Sequence, residues 1–243
     1  MKVVLRLIMV VCALACTSSI SGASKSQVDI LLVLAADVSG SVNDARWKVQ
    51  RDGYAAAFQD PRILEILKGR RVAVTFMQWS ASFQQHQSVD WNVLDSEEST
   101  LAFAESLSKV ERRFNNGTAI GAALYAAHKL LIEAPMVAAR RIIDISGDGR
   151  DNLAPVPLRP ELSLETARAQ AVAAGIVING LPIHVREITQ RTIDNPGIDE
   201  YYARYVIGGN GSFIVLVNDG NDFASFREAL VQKLLRELIT SAD

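Results

Sequence analysis

Asp37, Ser39 and Ser41 carry oxygen-bearing side chains at alternate positions, directly after the apolar run 30–36. Strict alternation would set them on one face of a strand. Gly40, and helix-like text from Asn43 onward, indicate that the chain is already turning, so the three oxygens can converge beyond the strand end. Carboxylate and hydroxyl donors, with no Cys or His among them, suit the hard cations Mg²⁺, Mn²⁺ or Ca²⁺ rather than zinc or copper. The same residue types cap helices and build turns, which leaves a purely local role open for the string taken alone. Two later segments add donors. Asn115-Asn116-Gly117-Thr118 opens a helical pattern over 119–132 and places a hydroxyl at a loop-to-helix junction. The strand text Ile142-Ile143-Asp144-Ile145-Ser146 runs into Gly147-Asp148-Gly149, a carboxylate on a bend between two glycines.

Together these residues resemble the von Willebrand factor type A domain, whose metal-ion-dependent adhesion site reads DxSxS, then a Thr, then an Asp after the fourth strand. The matching positions are Asp37, Ser39, Ser41, Thr118 and Asp148, and the resemblance runs over residues 28–239. It implies that Ser39, Ser41 and Thr118 bind the metal through hydroxyls, and that Asp37 and Asp148 act directly or through bound water. Two acids and three hydroxyls leave the ion only partly neutralised. An exogenous Asp or Glu carboxylate from a protein partner is then the natural sixth ligand of octahedral Mg²⁺. The family's usual strand-end text is closer to Thr-Asp-Gly, and this chain departs from it with Ser146-Gly147-Asp148-Gly149. The segments Ile176-Val177-Ile178-Asn179-Gly180-Leu181, Tyr201-Tyr202 and Val206-Ile207-Gly208-Gly209 add a likeness to a family of exported bacterial proteins of this fold with no assigned function.

Residues 1–23 read as a signal peptide: Lys2 and Arg6 give a basic start, 7–15 is apolar, and Ser21-Gly22-Ala23 offers a small-residue cleavage site. The apolar run is shorter than the roughly 20 residues a bilayer span needs. Cys12 and Cys16, the two cysteines of the chain, both fall in that segment, so the expected mature domain, 24–243, has no disulfide. Leu14-Ala15-Cys16 also resembles the end of a lipoprotein signal, which would make Cys16 an anchored first residue. Without residues 1–23 the chain keeps 23 Lys plus Arg against 27 Asp plus Glu, a net charge of about −4. No concentrated basic patch is present to suit nucleic acid or an anionic membrane surface, and Arg112-Arg113 and Arg140-Arg141 read as solvated element ends. The expected location is periplasmic or secreted.

Strand-like and helix-like text alternate throughout, which predicts a single α/β domain: a doubly wound, mostly parallel sheet with one antiparallel edge strand and helices on both faces. Strands are expected over 30–36, 72–79, 83–91 as the antiparallel edge, 142–146, 176–179 and 213–217. Helices are expected over 44–58, 97–110, 118–132, 164–174 and 223–239. In such a sheet ligands sit beyond the carboxyl ends of strands where the strand order reverses, and the strands ending at Asp37 and at Ser146 deliver their acids to that edge. The loop 150–160 leaves from the same edge, and Pro155, Pro157 and Pro160 stiffen it, so it is expected to supply partner specificity.

The enzyme alternatives are poorer. Asp37 after an apolar strand could be a phosphoryl-accepting nucleophile in an Mg²⁺-dependent phosphoester hydrolase, but the general acid such sites carry two residues later is here Ser39. There is no GxSxG elbow, and His86, His128 and His184 are isolated in sequence from any nucleophile. Gly208-Gly209-Asn210-Gly211 lacks the Lys-Ser/Thr of a phosphate loop and reads as a turn. Trp47, Trp79 and Trp91 read as packing residues. Asp144, an acid inside an apolar strand, must be paired or solvated, either as a buttress of the site or at a sheet edge. The sequence thus leads to a divalent-cation-dependent binding module with no catalytic residues.

Overall fold

The computed structural model describes residues 25–152, 159–185 and 197–239. The proposed signal peptide with Cys16, and most of the 150–160 loop, lie outside the described residues. The central sheet holds β2 (Ile30–Asp37), β3 (Val72–Trp79), β4 (Gln85–Leu94), β6 (Arg140–Gly147) and β7 (Val177–Pro182), in the order β4-β3-β2-β6-β7. All neighbours run parallel except β3 and β4. The short strands β1 (Ser26–Gln27) and β5 (Met136–Val137) pair separately. The helices are α1 (Asp44–Ala57), α2 (Pro61–Leu67), α3 (Glu97–Ser108), α4 (Ile120–Glu133), α5 (Leu164–Ala173), α6 (Ile198–Tyr201) and α7 (Phe223–Ile239). This is the expected doubly wound α/β architecture with one antiparallel edge strand.

Both faces of the sheet are covered, which is why β2 and β3 are buried along their whole length and β2 reads as an unbroken apolar run. Ile30, Leu32, Leu34 and Ala36 join Tyr54, Phe58, Phe103 and Phe226 in one core layer. Leu31, Val33 and Ala35 face the other layer, with Ile120, Leu124 and Ala167. Truncating a fully buried residue such as Leu34 to Ala would cost about 2–5 kcal/mol. Trp47 and Trp79 are buried in these layers, as packing residues should be.

Some elements differ from expectation. The edge strand begins at Gln85, so Phe83 sits in the turn before it and is 70% exposed. Residues 213–217 make no regular strand. Gly208 and Ile214 bridge in turn to Ile178 and Gly180 on the outer edge of β7, and Val217 bridges to Ile183 just beyond its end. The helix α2 has weak periodicity over seven residues, but Asp60 caps it by accepting from the Arg62 amide at 2.9 Å, with Pro61 at its first position.

Candidate metal centre

The strand order reverses between β2 and β6, and Ala36 lies opposite Ser146 in register. Asp37 ends β2, and Asp148 follows β6 by one residue, so the two carboxylates leave adjacent strands at the same edge. Asp37 is fully buried, and its Oδ1 accepts the Ser39 amide at 2.7 Å, closing a tight turn. That turn brings the Ser39 and Ser41 hydroxyls to 3.3 Å from each other, and Ser41 Oγ donates to Asp148 Oδ1 at 2.5 Å. Four of the five expected residues are therefore joined in one hydrogen-bonded chain.

The local capping role left open by the sequence falls elsewhere. Asn43 is the N-cap of α1, with its side chain accepting from the Arg46 amide at 2.9 Å, so of the Asp37–Ser41 oxygens only Asp37 Oδ1 serves the local turn. Gly40 lets the turn approach its neighbour closely: its amide donates to Asn116 O at 2.6 Å, and an added Cβ would stand 3.1 Å from Asn115 O.

Thr118, the fifth residue, lies in the loop before α4 and is 5% exposed. It is held by Asn152, whose Oδ1 accepts the Thr118 amide at 2.9 Å and whose amide donates back to Thr118 O at 3.0 Å. A Cβ added at Gly149, next to Asp148, would stand 3.5 Å from Thr118 Oγ1. The Thr118 hydroxyl therefore borders the Asp148 segment. The N-cap of α4, Ala119, has no capping side chain; Asp151 Oδ1 accepts the Ile120 amide at 2.7 Å instead. Asp151 and Asn152 thus lock the strand-end bend onto the start of α4.

Two arginines grip the turn from outside. Arg112 donates to Val38 O and Ser39 O at 3.2 and 2.9 Å, and Arg46 donates to Ser41 O at 2.7 Å. The expectation that Arg112 is a solvated element end is wrong: its side chain is 15% exposed, because backbone carbonyls of the turn need donors that the local chain does not supply. Arg140 and Arg141 likewise donate to Glu237 O and Ala174 O, tying the start of β6 to helix ends.

Asp37 Oδ2, Asp148 Oδ2 and the Tyr202 hydroxyl are buried without a hydrogen-bond partner. Burial, with the Asp148 charge second, pushes the Asp37 carboxyl up to about 7, against the hydrogen bonds of Ser39. Burial also raises Asp148, opposed by the Ser41 hydrogen bond and the charge of Arg46. Two buried carboxylates with free oxygens beside hydroxyls fit a hard divalent cation, since its charge would offset both the desolvation and the repulsion. Among the described residues no three His, Cys, Asp or Glu side chains cluster as a metal site, so any cation here depends on hydroxyl donors.

Asp144 lies on interior strand β6, which excludes the sheet-edge explanation. Its partner is Lys233 of α7, with Nζ 2.7 Å from Asp144 Oδ2 and 2.6 Å from Glu237 Oε1, all three side chains being fully buried. Lys233 Nζ thus stands between two buried acids and offsets the charge of both. Asn179 Nδ2 donates to Glu237 Oε1 at 2.9 Å, and Tyr54 donates to Ser146 Oγ at 3.1 Å beside this network. Sequence reasoning flagged Asp144 but missed Lys233 and Glu237, whose i, i+4 spacing on α7 looks like a surface pair.

Two surface cavities of about 190 and 460 Å³ flank His86 on β4, and neither is lined by a residue of the candidate centre. No described helix is long and apolar enough to cross a membrane.

The fold is that of von Willebrand factor type A domains. It is similar to a von Willebrand factor type A protein from Catenulispora acidiphila (TM-score 0.59, 14% identity), covering 87% of this chain and 43% of that one. It is also similar to proximal thread matrix protein 1 from the mussel byssus, in a structure with a zinc-occupied MIDAS motif (TM-score 0.60, 14% identity, 88% of this chain and 48% of that one). A third similar structure is the vWF domain of the type V pili tip protein Mfa5 from Porphyromonas gingivalis (TM-score 0.58, 11% identity, 89% and 98%). The chain thus spans less than half the length of the first two. No curated protein matches the sequence. A family model described as "Protein of unknown function (DUF1194)" matches residues 27–242, and the chain belongs to that family.

Proposed function

We propose that this domain is an exported, adhesion-type module that binds a protein partner through one divalent cation, Mg²⁺ or alternatively Mn²⁺ or Ca²⁺. The observation that carries this is the pair of buried carboxylates, Asp37 and Asp148, each with an unpartnered oxygen, joined through the Ser39 and Ser41 hydroxyls at the switch point of the sheet. Asp37, Ser39, Ser41, Thr118 and Asp148 would hold the ion. A bound cation supplies a positive charge between the two acids and a coordination position for a partner's Asp or Glu carboxylate. The chain's own part is preorganisation: Asn152, Asp151, Arg112 and Arg46 fix the two loops through backbone hydrogen bonds. Ser41 is half-buried, so the centre faces outward past it.

The similar proteins include a pilus tip protein and a thread matrix protein, which agrees with an adhesive role. Export rests on the basic, apolar and small-residue pattern of residues 1–23 and places the domain in the periplasm or outside the cell.

Thermal melts with Mg²⁺, Mn²⁺, Ca²⁺ or chelator test the cation. At a free ion concentration one hundred times the dissociation constant the fold should gain about 2.7 kcal/mol. Identical melting temperatures at saturating metal would remove the centre from the account. Capture of a partner from periplasmic extract should be lost with chelator, whereas metal-dependent turnover of a phosphoester would favour the hydrolase alternative.

A further inference from the structure

Tyr202 is the third buried group at the centre without a hydrogen-bond partner, and its surroundings show that its position is built. It opens a π-helical turn, Tyr202–Val206, immediately after α6, with the Ile207 amide donating back to Tyr202 O at 3.0 Å. Turns of this kind inside helices occur frequently at functional sites. The ring is fully buried in the core layer that contains Trp79 and Ile145. It runs past two glycines on adjacent strands. A Cβ at Gly180 on β7 would come within 2.9 Å of Tyr202 Cδ1, and a Cβ at Gly147 on β6 within 2.5 Å of its hydroxyl. Glycine inside a strand weakens it and marks a close approach; here two neighbouring strands each give up a side chain along one tyrosine.

The slot directs the hydroxyl at the carboxylates. The same Cβ at Gly147 would stand 2.9 Å from Asp37 Oδ2, so the phenol oxygen and the free Asp37 oxygen border one point. Both atoms are buried and unpartnered. A buried hydroxyl that retains its proton needs an acceptor, and the unpartnered carboxylate oxygen beside it is one. The glycine that breaks the strand-end text at 147 thus has a physical cause: any side chain there would displace the Tyr202 hydroxyl.

We propose that Tyr202 is a further member of the centre, a positioning residue whose hydroxyl, not hydrogen-bonded in this structure, stands beside Asp37 Oδ2 and donates to it when that carboxylate takes the cation. This rests on the cation-binding function proposed above. Outer partners of metal-binding groups set affinity by fixing the orientation and charge of the ligand, and their loss typically costs about 10–100-fold. Tyr202→Phe keeps the ring in its slot and removes the oxygen alone.

The test combines calorimetric titration of Mg²⁺ and Mn²⁺ with melting of the metal-free protein, for the parent, Tyr202→Phe, Gly147→Ala and the double variant. Tyr202→Phe should weaken Mg²⁺ binding at least tenfold while its metal-free melting stays close to the parent's, a split that a purely structural tyrosine would not produce. In melts without metal, Gly147→Ala should destabilise the parent more than it destabilises Tyr202→Phe, because the clash at the hydroxyl is gone in the second background. Equal Mg²⁺ affinity in the parent and Tyr202→Phe would overturn the role of Tyr202 and leave the cation centre standing. Equal cost of Gly147→Ala in both backgrounds would overturn the placement of the hydroxyl. A parent that binds neither ion would overturn both this inference and the function it rests on.

Discussion

Asp37→Asn is the substitution whose consequences are best worked from the structure. Asparagine keeps the shape and an oxygen that can accept the Ser39 amide, but it removes the charge. In the metal-free protein that charge is a liability: burial, with Asp148 behind it, raises the Asp37 carboxyl from 3.8 to about 7. A raised acid binds its proton more tightly folded than unfolded, so stability falls as pH rises from the unfolded value towards the folded one and is level above it. A rise of that size corresponds to about 4 kcal/mol at pH 8 and nearly vanishes at pH 4. Without metal, Asp37→Asn should therefore melt higher than the parent at pH 8, by about 2–4 °C per kcal/mol for a chain of this size, and nearly level with it at pH 4. Saturating Mg²⁺ should narrow the gap at pH 8, since the parent gains about 2.7 kcal/mol at one hundred times the dissociation constant and the variant gains nothing. Melts by circular dichroism across pH 4–8, with chelator and with Mg²⁺, provide the four arms. A variant less stable than the parent at pH 8 in chelator would show that the carboxylate is a structural anchor, and the reasoning from a repelled, cation-seeking acid would fail.

Other outcomes are equally definite. Ser41→Ala removes the donor to Asp148 Oδ1 together with one hydroxyl of the centre, and calorimetry should show Mg²⁺ affinity at least tenfold lower with an unchanged circular dichroism spectrum. Lys233→Met leaves Asp144 and Glu237 buried without their cation and should lower stability by about 3–5 kcal/mol in urea denaturation. Phe83→Ala should leave both melting and Mg²⁺ affinity unchanged. Its turn is hydrogen-bonded to the Thr118 loop, through Ala119 N to Ser80 O at 2.9 Å and Ser80 Oγ to Gly117 O at 3.0 Å, so the exposed ring belongs to a turn tied to that loop and its loss should weaken capture of the partner.

Much of the fold was legible because both-face burial writes itself into composition: 30–36 and 72–79 are continuous apolar runs, and the closing helix 223–239 carries its period on the surface of the text. The DxSxS string and the glycine-flanked Asp148 were equally visible, since short-range turns are local chemistry. Their assembly was not. That Asp37 and Asp148 stand at one switch point follows from β2 and β6 being neighbours in register, a non-local pairing that no spacing encodes. Edge structure was misread at 213–217 because two segments share the outer edge of β7, and a propensity for strand says nothing about available partners.

Residue types and their order thus determined a layered α/β chain with hard-cation donors at strand ends. Only the tertiary structure decided which groups complete those donors. Asp151 and Asn152 reach across to the loop of Thr118, Arg112 turns inward to bind backbone carbonyls, and Lys233 crosses from α7 to Asp144. Tyr202 is 165 residues from Asp37, and its hydroxyl borders the same point as Asp37 Oδ2 through a slot that exists because Gly147 and Gly180 fall on adjacent strands. Local rules specify a turn or a cap from a few consecutive residues, whereas satisfying a buried polar atom depends on whatever the packed neighbours bring to it.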